Sequence, residues 1–296
     1  MQTVLMLTDF SENANHAAKS AAKIVPKLSA DILLYHTYYN HPILTSFATG
    51  PWVVEDFMLR KNESIEQLSY LANQLKHILA GISPNGFETK AAYQCGEGPL
   101  EENTTVIIRE NDIELVVIGS RANRPLNRLI FGSDSMAVIR HASCPVLIVP
   151  PKVEMNMLKK VTFATDFELA DINAINYLIG FSKKLGLPLE VVHVSVSSEK
   201  DDPVKEATIL THINGLKQAG ATYQDIRGKD VVKRLHRFCN TEGPAILAMA
   251  HYHVDWLSNL FNRSATDAAL DNPSVPLLVI PSEMVYVSGE STSDLI

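Results

Sequence analysis

The sequence predicts an α/β protein made of two tandem open-sheet domains, each a five-stranded, mostly parallel sheet with helices on both faces. Three observations carry this prediction. Short apolar runs alternate with amphipathic stretches along the chain, the pattern of βαβ units. The runs ELVVIG (114–119) and AILAMA (245–250) are almost continuously apolar, as strands covered on both faces should be. The pattern also repeats. VLMLTDF at 4–10 returns as VTFATDF at 161–167, a shift of 157 residues that also carries His36 onto His193. PVLIVP at 145–150 returns as PLLVIP at 276–281, a shift of 131, so the second copy lacks 157 − 131 = 26 residues between its second strand and its last.

Taken in order, the first copy predicts strands near 3–8, 31–37, 87–93, 113–118 and 145–149, with helices near 12–28, 53–80, 99–110 and 133–141. The second predicts strands near 160–165, 189–195, 221–226, 244–249 and 276–280, with helices near 168–185, 203–218, 229–240 and 264–271. Ser11 and Ser133 stand where helix caps are needed, because a hydroxyl there can accept from the unpaired first amides. Pro150-Pro151 marks the join, since neither proline can donate to a ladder. The domains are therefore 1–151 and 157–283, followed by a polar tail at 284–296. The segment missing from the second copy includes HPILTSFATGPW (41–52), read as a surface excursion on the long helix or a pocket cap. The last strand of each copy is an apolar sheet edge, and such an edge needs covering. Residues 145–149 and 276–280 are expected to meet across a pseudo-twofold axis, making the chain an internal dimer.

Composition narrows the function. Hydrophobic residues at 46% and charged residues at 20% over 296 residues describe two globular domains. A formal net charge of −7 argues against a nucleic-acid partner or an anionic membrane surface. Cys95, Cys144 and Cys239 include no CxxC pair and cannot build a disulfide framework, which fits reduced thiols. The N-terminus lacks a basic leader, and no apolar run approaches the roughly 20 residues that span a bilayer. Cytoplasmic is the expected location.

The most informative stretch is GSRANRPLNRLIFGSDS, residues 119–135, after the fourth strand. Ligands of open α/β sheets bind beyond the carboxyl ends of the strands. Glycine lets main-chain amides approach phosphate oxygens, and a helix start adds unpaired donors and a positive dipole end. Gly119 closes the strand, Gly132 and Ser133 open the next helix, and Arg121, Arg124 and Arg128 bring positive charge. These arginines can equally be solvated side chains.

TDFS at 8–11, the strand-end His36, and the long loop followed by HASCPVLIVP together resemble the universal stress protein family, and the tandem plan is similar to its two-domain members. Nucleotide-binding members carry G-x2-G-x9-G-[ST] after strand four. Gly119, Gly132 and Ser133 match that spacing, with Ala122 in place of the middle glycine. The resemblance implies an adenine nucleotide alpha hydrolase-like fold, with ATP or a related adenine nucleotide as ligand. Asp9 would face the ribose and the backbone near Thr37 the adenine. Ala122 adds a methyl where backbone must come close, and Asp134 puts a carboxylate beside the phosphates. The aligned second loop, residues 250–266, replaces Gly119, Ala122 and Gly132 with Ala250, His253 and Arg263 and keeps only Ser264. No phosphate cradle is expected there, although Asp166 persists.

Other residues favour structural readings. His251, His253 and Asp255 would share a side of an extended strand, but no fourth metal ligand can be named. His36 and His193 read as packing and hydrogen-bonding residues, and Cys144 as a buried small hydrophobe. Asp9 and Asp166 have no base or nucleophile beside them. The sequence holds no GxxxxGK[ST], HExxH, GxSxG or strand-following GxGxxG, so nothing supports an enzyme. The expectation is a stress-response protein that binds nucleotide in its first half and acts through conformation and an unknown protein partner. The alternatives are an interaction module without nucleotide and a slow nucleotide hydrolase.

Overall fold

The computed structural model describes residues 2–38, 51–82, 84–123, 128–130, 133–195, 203–218, 220–229, 231–241, 243–250, 275–282 and 284. In the first half the chain runs β1 (Thr3–Leu7), α1 (Glu12–Ala22), α2 (Val25–Leu28), β2 (Asp31–Tyr38), α3 (Pro51–Leu79), β3 (Ala91–Glu97), α4 (Leu100–Glu110) and β4 (Ile113–Gly119). It continues through β5 (Arg121–Asn123), β6 (Arg128–Ile130), α5 (Ser133–His141) and β7 (Val146–Val149). The second half runs β8 (Lys160–Thr165), α6 (Leu169–Leu185), β9 (Leu189–Ser195), α7 (Pro203–Gln218), β10 (Thr222–Arg227), α8 (Val231–Thr241), β11 (Ala245–Ala250) and β12 (Leu277–Ile280). The expected helix at 264–271 and the polar tail beyond 284 lie outside the described residues.

Both halves fold to one plan. Ten of the twelve described strands form one sheet in the order β10-β9-β8-β11-β12-β7-β4-β1-β2-β3, and β5 and β6 pair separately. Within each half of the large sheet the pairing is parallel. At the centre β12 and β7 pair antiparallel, with Leu277 opposite Ile148, Leu278 opposite Leu147 and Val279 opposite Val146. The two strands expected to cover one another do so, and their side chains are fully buried. Because this pairing is antiparallel, the carboxyl ends of the two half-sheets point in opposite directions. In each half the first and fourth strands sit side by side while the chain leaves them toward opposite edges. In open α/β sheets such a reversal marks the ligand crevice, here expected beyond β1 and β4 and again beyond β8 and β11.

Helices on both faces seal the sheet. One buried cluster runs through both halves and joins Val4, Leu34, Leu75 and Val117 to Phe163, Leu178 and Val191. On the opposite face Leu5, Tyr35, Val116 and Ile139 pack with Val192, Leu235 and Leu247. The join is strapped to α1. Ser20 Oγ donates to the Val153 carbonyl at 2.7 Å and accepts from Met155 N at 2.8 Å, while Lys23 pairs with Glu154. Lys184 of α6 reaches back to Glu114 at 2.7 Å.

Three expectations are corrected. The helix expected over 12–28 is two helices, because Pro26 cannot donate to the preceding turn, and α2 ends at Ser29 in the left-handed region (φ 56°). The third strand spans 91–97 instead of 87–93. Residues 84–86 form a 3-10 turn, and the Asp31 carboxylate holds Lys90 N at 2.8 Å just before the ladder starts. The stretch expected as an open loop contains an antiparallel hairpin, in which Arg121, Ala122 and Asn123 face Ile130, Leu129 and Arg128. The shortening of the second copy falls partly on the helix after its second strand, where α7 has 16 residues against the 29 of α3.

Candidate functional site

The first-half crevice is built on a turn that defies its residue type. Thr8 N continues the ladder to the Tyr35 carbonyl at 3.0 Å, and the chain then reverses through Phe10, whose φ is 60°. An aromatic residue in this left-handed region is disfavoured, because Cβ crowds the carbonyl. Four hydrogen bonds and one ring contact hold it there. Phe10 N donates to Thr8 Oγ1 at 3.0 Å, and Ser11 N donates to Asp9 Oδ1 at 3.0 Å. Asn15 Nδ2 donates to the Phe10 carbonyl at 3.1 Å. His36 Nδ1 donates to the Thr8 carbonyl at 2.8 Å, and its ring lies 4.3 Å from that of Phe10. Burial lowers the His36 pKa, against the opposing pull of the Thr8 carbonyl and Asp9. Ser11 then caps α1, accepting from Ala14 N at 3.2 Å.

The ladder register brings the candidate residues to one end of the sheet. Leu7 pairs with both Tyr35 and Ile118, so Asp9, Thr37 and Gly119 follow at the carboxyl ends of three adjacent strands. Asp9 is exposed and Thr37 half-buried. Gly119 is small for a reason the sequence did not suggest. A Cβ there would lie 2.8 Å from both Ala14 Cα and Asn13 O, so glycine admits the first turn of α1 against the strand. Ser120 follows, 1% exposed, and its Oγ has no hydrogen-bond partner among the described residues. Ala122 sits in β5 opposite Leu129, and Ser133 opens α5; Gly132 lies outside the described residues.

A second arrangement escaped sequence reading. Tyr35, 1% exposed, donates from its hydroxyl to Asn103 Oδ1 at 2.8 Å, and Asn103 Nδ2 donates to the carbonyls of Glu97 and Pro99. A Cβ on Gly96 would fall 1.9 Å from the Tyr35 hydroxyl. This network fixes the turn between β3 and α4 beside the crevice. A glycine inside the run YQCGE was the available signal, because strand glycines mark close approaches.

The second half repeats the turn with different surroundings. Phe167 has φ 64°, its N donates to Thr165 Oγ1 at 2.9 Å, and Glu168 N donates to Asp166 Oδ1 at 3.3 Å. His193 Nδ1 donates to the Thr165 carbonyl at 2.9 Å. Phe167 is also enclosed by Tyr223 and His212, with ring centroids at 5.7 and 6.2 Å. Where the first half has Ala14 the second has Asp171, fully buried and accepting from Thr165 Oγ1. Where the first has Gly119, the second has Ala250. His251, His253, Asp255, Arg263 and Ser264 lie outside the described residues.

Among the described residues no cluster of three or more His, Cys, Asp or Glu side chains could hold a metal ion, and no helix is long and apolar enough to cross a membrane. Burial pushes the Cys144 and Cys239 thiols up to about 12, far from the thiolate character of reactive cysteines.

The comparisons with known proteins agree with this architecture. The chain is 24% identical over 154 residues to a universal stress protein of Methanocaldococcus jannaschii, spanning 51% of this chain and 84% of that protein. It is 28% identical over 149 residues to the Bacillus subtilis universal stress protein YxiE, spanning 49% of this chain and 97% of that protein. The crystal structure of an Archaeoglobus fulgidus universal stress protein superposes with a TM-score of 0.64 at 17% identity, covering 95% of this chain and 98% of the other. The model of the universal stress protein family matches residues 1–150, and with the doubled α/β sheet around it, the chain belongs to that family.

Proposed function

We propose that the chain binds ATP or a related adenine nucleotide in its first half and acts through conformation and partner binding, not turnover. The observation that carries the reading is the meeting of Asp9, Thr37 and Gly119 at the strand-order reversal, one hairpin away from the start of α5. The family motif puts the phosphates on the main chain near Gly119, Ala122, Gly132 and Ser133. A helix N-terminus following that loop offers unpaired donors to an anion. The base would lie along Thr37 and the ribose beside Asp9. The second half would hold no nucleotide, since Ala250 replaces the strand-end glycine. The antiparallel β7–β12 seam supports reading the chain as an internal dimer. The cytoplasm is its expected place of action.

Mass spectrometry of small molecules released from freshly purified protein, followed by ATP titration calorimetry, tests this. Bound adenine nucleotide and saturable heat are expected, both lost in Gly132→Trp. Unchanged affinity in that variant would mean the site is elsewhere. Phosphate release with Mg²⁺ at the rate of a buffer blank is expected if no turnover occurs.

The second reading, an interaction module without nucleotide, is favoured by one specific feature. Residues 121–123 pair with 128–130, so part of the main chain expected to face phosphate faces another strand. Silence in the calorimeter with a clean mass spectrum would favour it.

A further inference from the structure

We propose that His36 is the positioning residue of the first-half site: it holds the Thr8–Ser11 turn in its left-handed shape and thereby sets where Asp9 meets the ligand. This rests on the nucleotide reading above. Thr8 is tied to β2 through both its main-chain groups, N–H to the Tyr35 carbonyl and C=O to His36 Nδ1. β1 ends at Leu7, and among the described residues the chain beyond Thr8 is held by contacts that include the Thr8 and Asp9 side chains, Asn15 and the His36 ring. Histidine offers an N–H donor and a flat face on one short stem. The donor fixes the carbonyl, and the face braces Phe10 in a conformation that bulky residues avoid. Asp9 lies between these two anchored residues, so its carboxylate goes where the turn sends it.

The second half provides an internal control. His193 makes the same bond to Thr165 at 2.9 Å, with its ring 5.1 Å from Phe167. There the brace is shared with Tyr223 and His212, and the strand-end glycine is gone. His193 therefore holds a turn without serving a ligand.

Hydrogen exchange at the Phe10 and Ser11 amides and calorimetric ATP affinity, measured on the full chain, test the proposal. In His36→Ala these amides should exchange faster and affinity should fall by roughly tenfold, the scale expected when a contact group loses its support. In His193→Ala the amides of Phe167 and Glu168 should exchange faster while ATP affinity stays within twofold. His36→Phe keeps the flat face without the donor and should lose affinity, though less than alanine; His36→Asn, whose Nδ2 can donate to Thr8, should recover part of the loss. These two variants also decide the matter if His36→Ala does not fold. Wild-type binding that survives His36→Phe unchanged overturns the proposal, as does equal weakening by the His36 and His193 variants. Should the wild-type chain bind no ATP, the nucleotide reading fails, and exchange alone then decides the inference. Faster exchange at Phe10 and Ser11 keeps the brace, and unchanged exchange removes it.

Discussion

The two halves carry the same strained turn at positions 157 residues apart, yet only one turn opens toward a strand-end glycine. Phe10 and Phe167 both sit near φ +60°, both donate to a threonine two residues back, and both pack on a histidine from the neighbouring strand. Their surroundings diverge within one helical turn. In the first half Gly119 lets α1 press against the strand, and Ser11 caps it. In the second, Glu168 precedes α6 without a side-chain cap bond, and a buried Asp171 reaches the turn threonine. The turn therefore belongs to the fold, while the proposed ligand chemistry rests on what surrounds it. A backbone device that costs about 1–2 kcal/mol in a non-glycine residue persists where hydrogen bonds and ring packing offset it.

The seam between the halves gives the largest expected effect. Leu278 and Leu147 face each other and are fully buried, so Leu278→Ala should cost about 2–5 kcal/mol. Urea unfolding monitored by circular dichroism should show the midpoint falling. If the halves unfold separately once the seam is weakened, the transition will split.

The contrast at the strand ends comes next. Gly119→Ala places a methyl against the backbone of Asn13 and Ala14 and should cost about 1–3 kcal/mol, by displacing the start of α1. Ala250→Gly, the reverse exchange, should cost no more than about 1 kcal/mol. Equal costs would show that the two strand ends are packed alike.

The turn threonines sharpen the comparison. Thr8→Val removes one acceptor and should cost about 1 kcal/mol. Thr165→Val also takes a donor from fully buried Asp171 and should cost more, up to about 3 kcal/mol. Thermal unfolding of the pair gives the order directly.

The smallest effect is a pH dependence. The folded His36 pKa lies below its ordinary 6.5, so the unfolded chain binds the proton more tightly. The neutral histidine's contribution is fully present above 6.5 and is lost as pH falls from there through the lowered folded value. The stability gap between wild type and His36→Asn should narrow over that window. A gap that widens on acidification would reverse the sign.

Much of this was legible in the sequence because buried parallel strands are written as continuous apolar runs. β4 and β11 fell where ELVVIG and AILAMA put them, and α5 and α7 matched the expected bounds. The third strand slipped because it is the sheet edge, where half-exposed residues blur the alternation that fixes register. The hairpin was hidden since strands of three residues leave too short a pattern to read. At the site, the motif spacing pointed to Gly119 but gave phosphate contact as the reason, and the packing of α1 against it is a contact between segments distant in sequence. The turn at Phe10 was invisible for the opposite reason: phenylalanine carries no sign of a positive φ.

The central claim is one nucleotide site in a doubled fold, and equilibrium dialysis of the full chain against labelled ATP measures it directly. The account predicts saturation near one nucleotide per chain, with Gly132→Trp reducing it to none. Saturation near two, or no uptake at all, would contradict it.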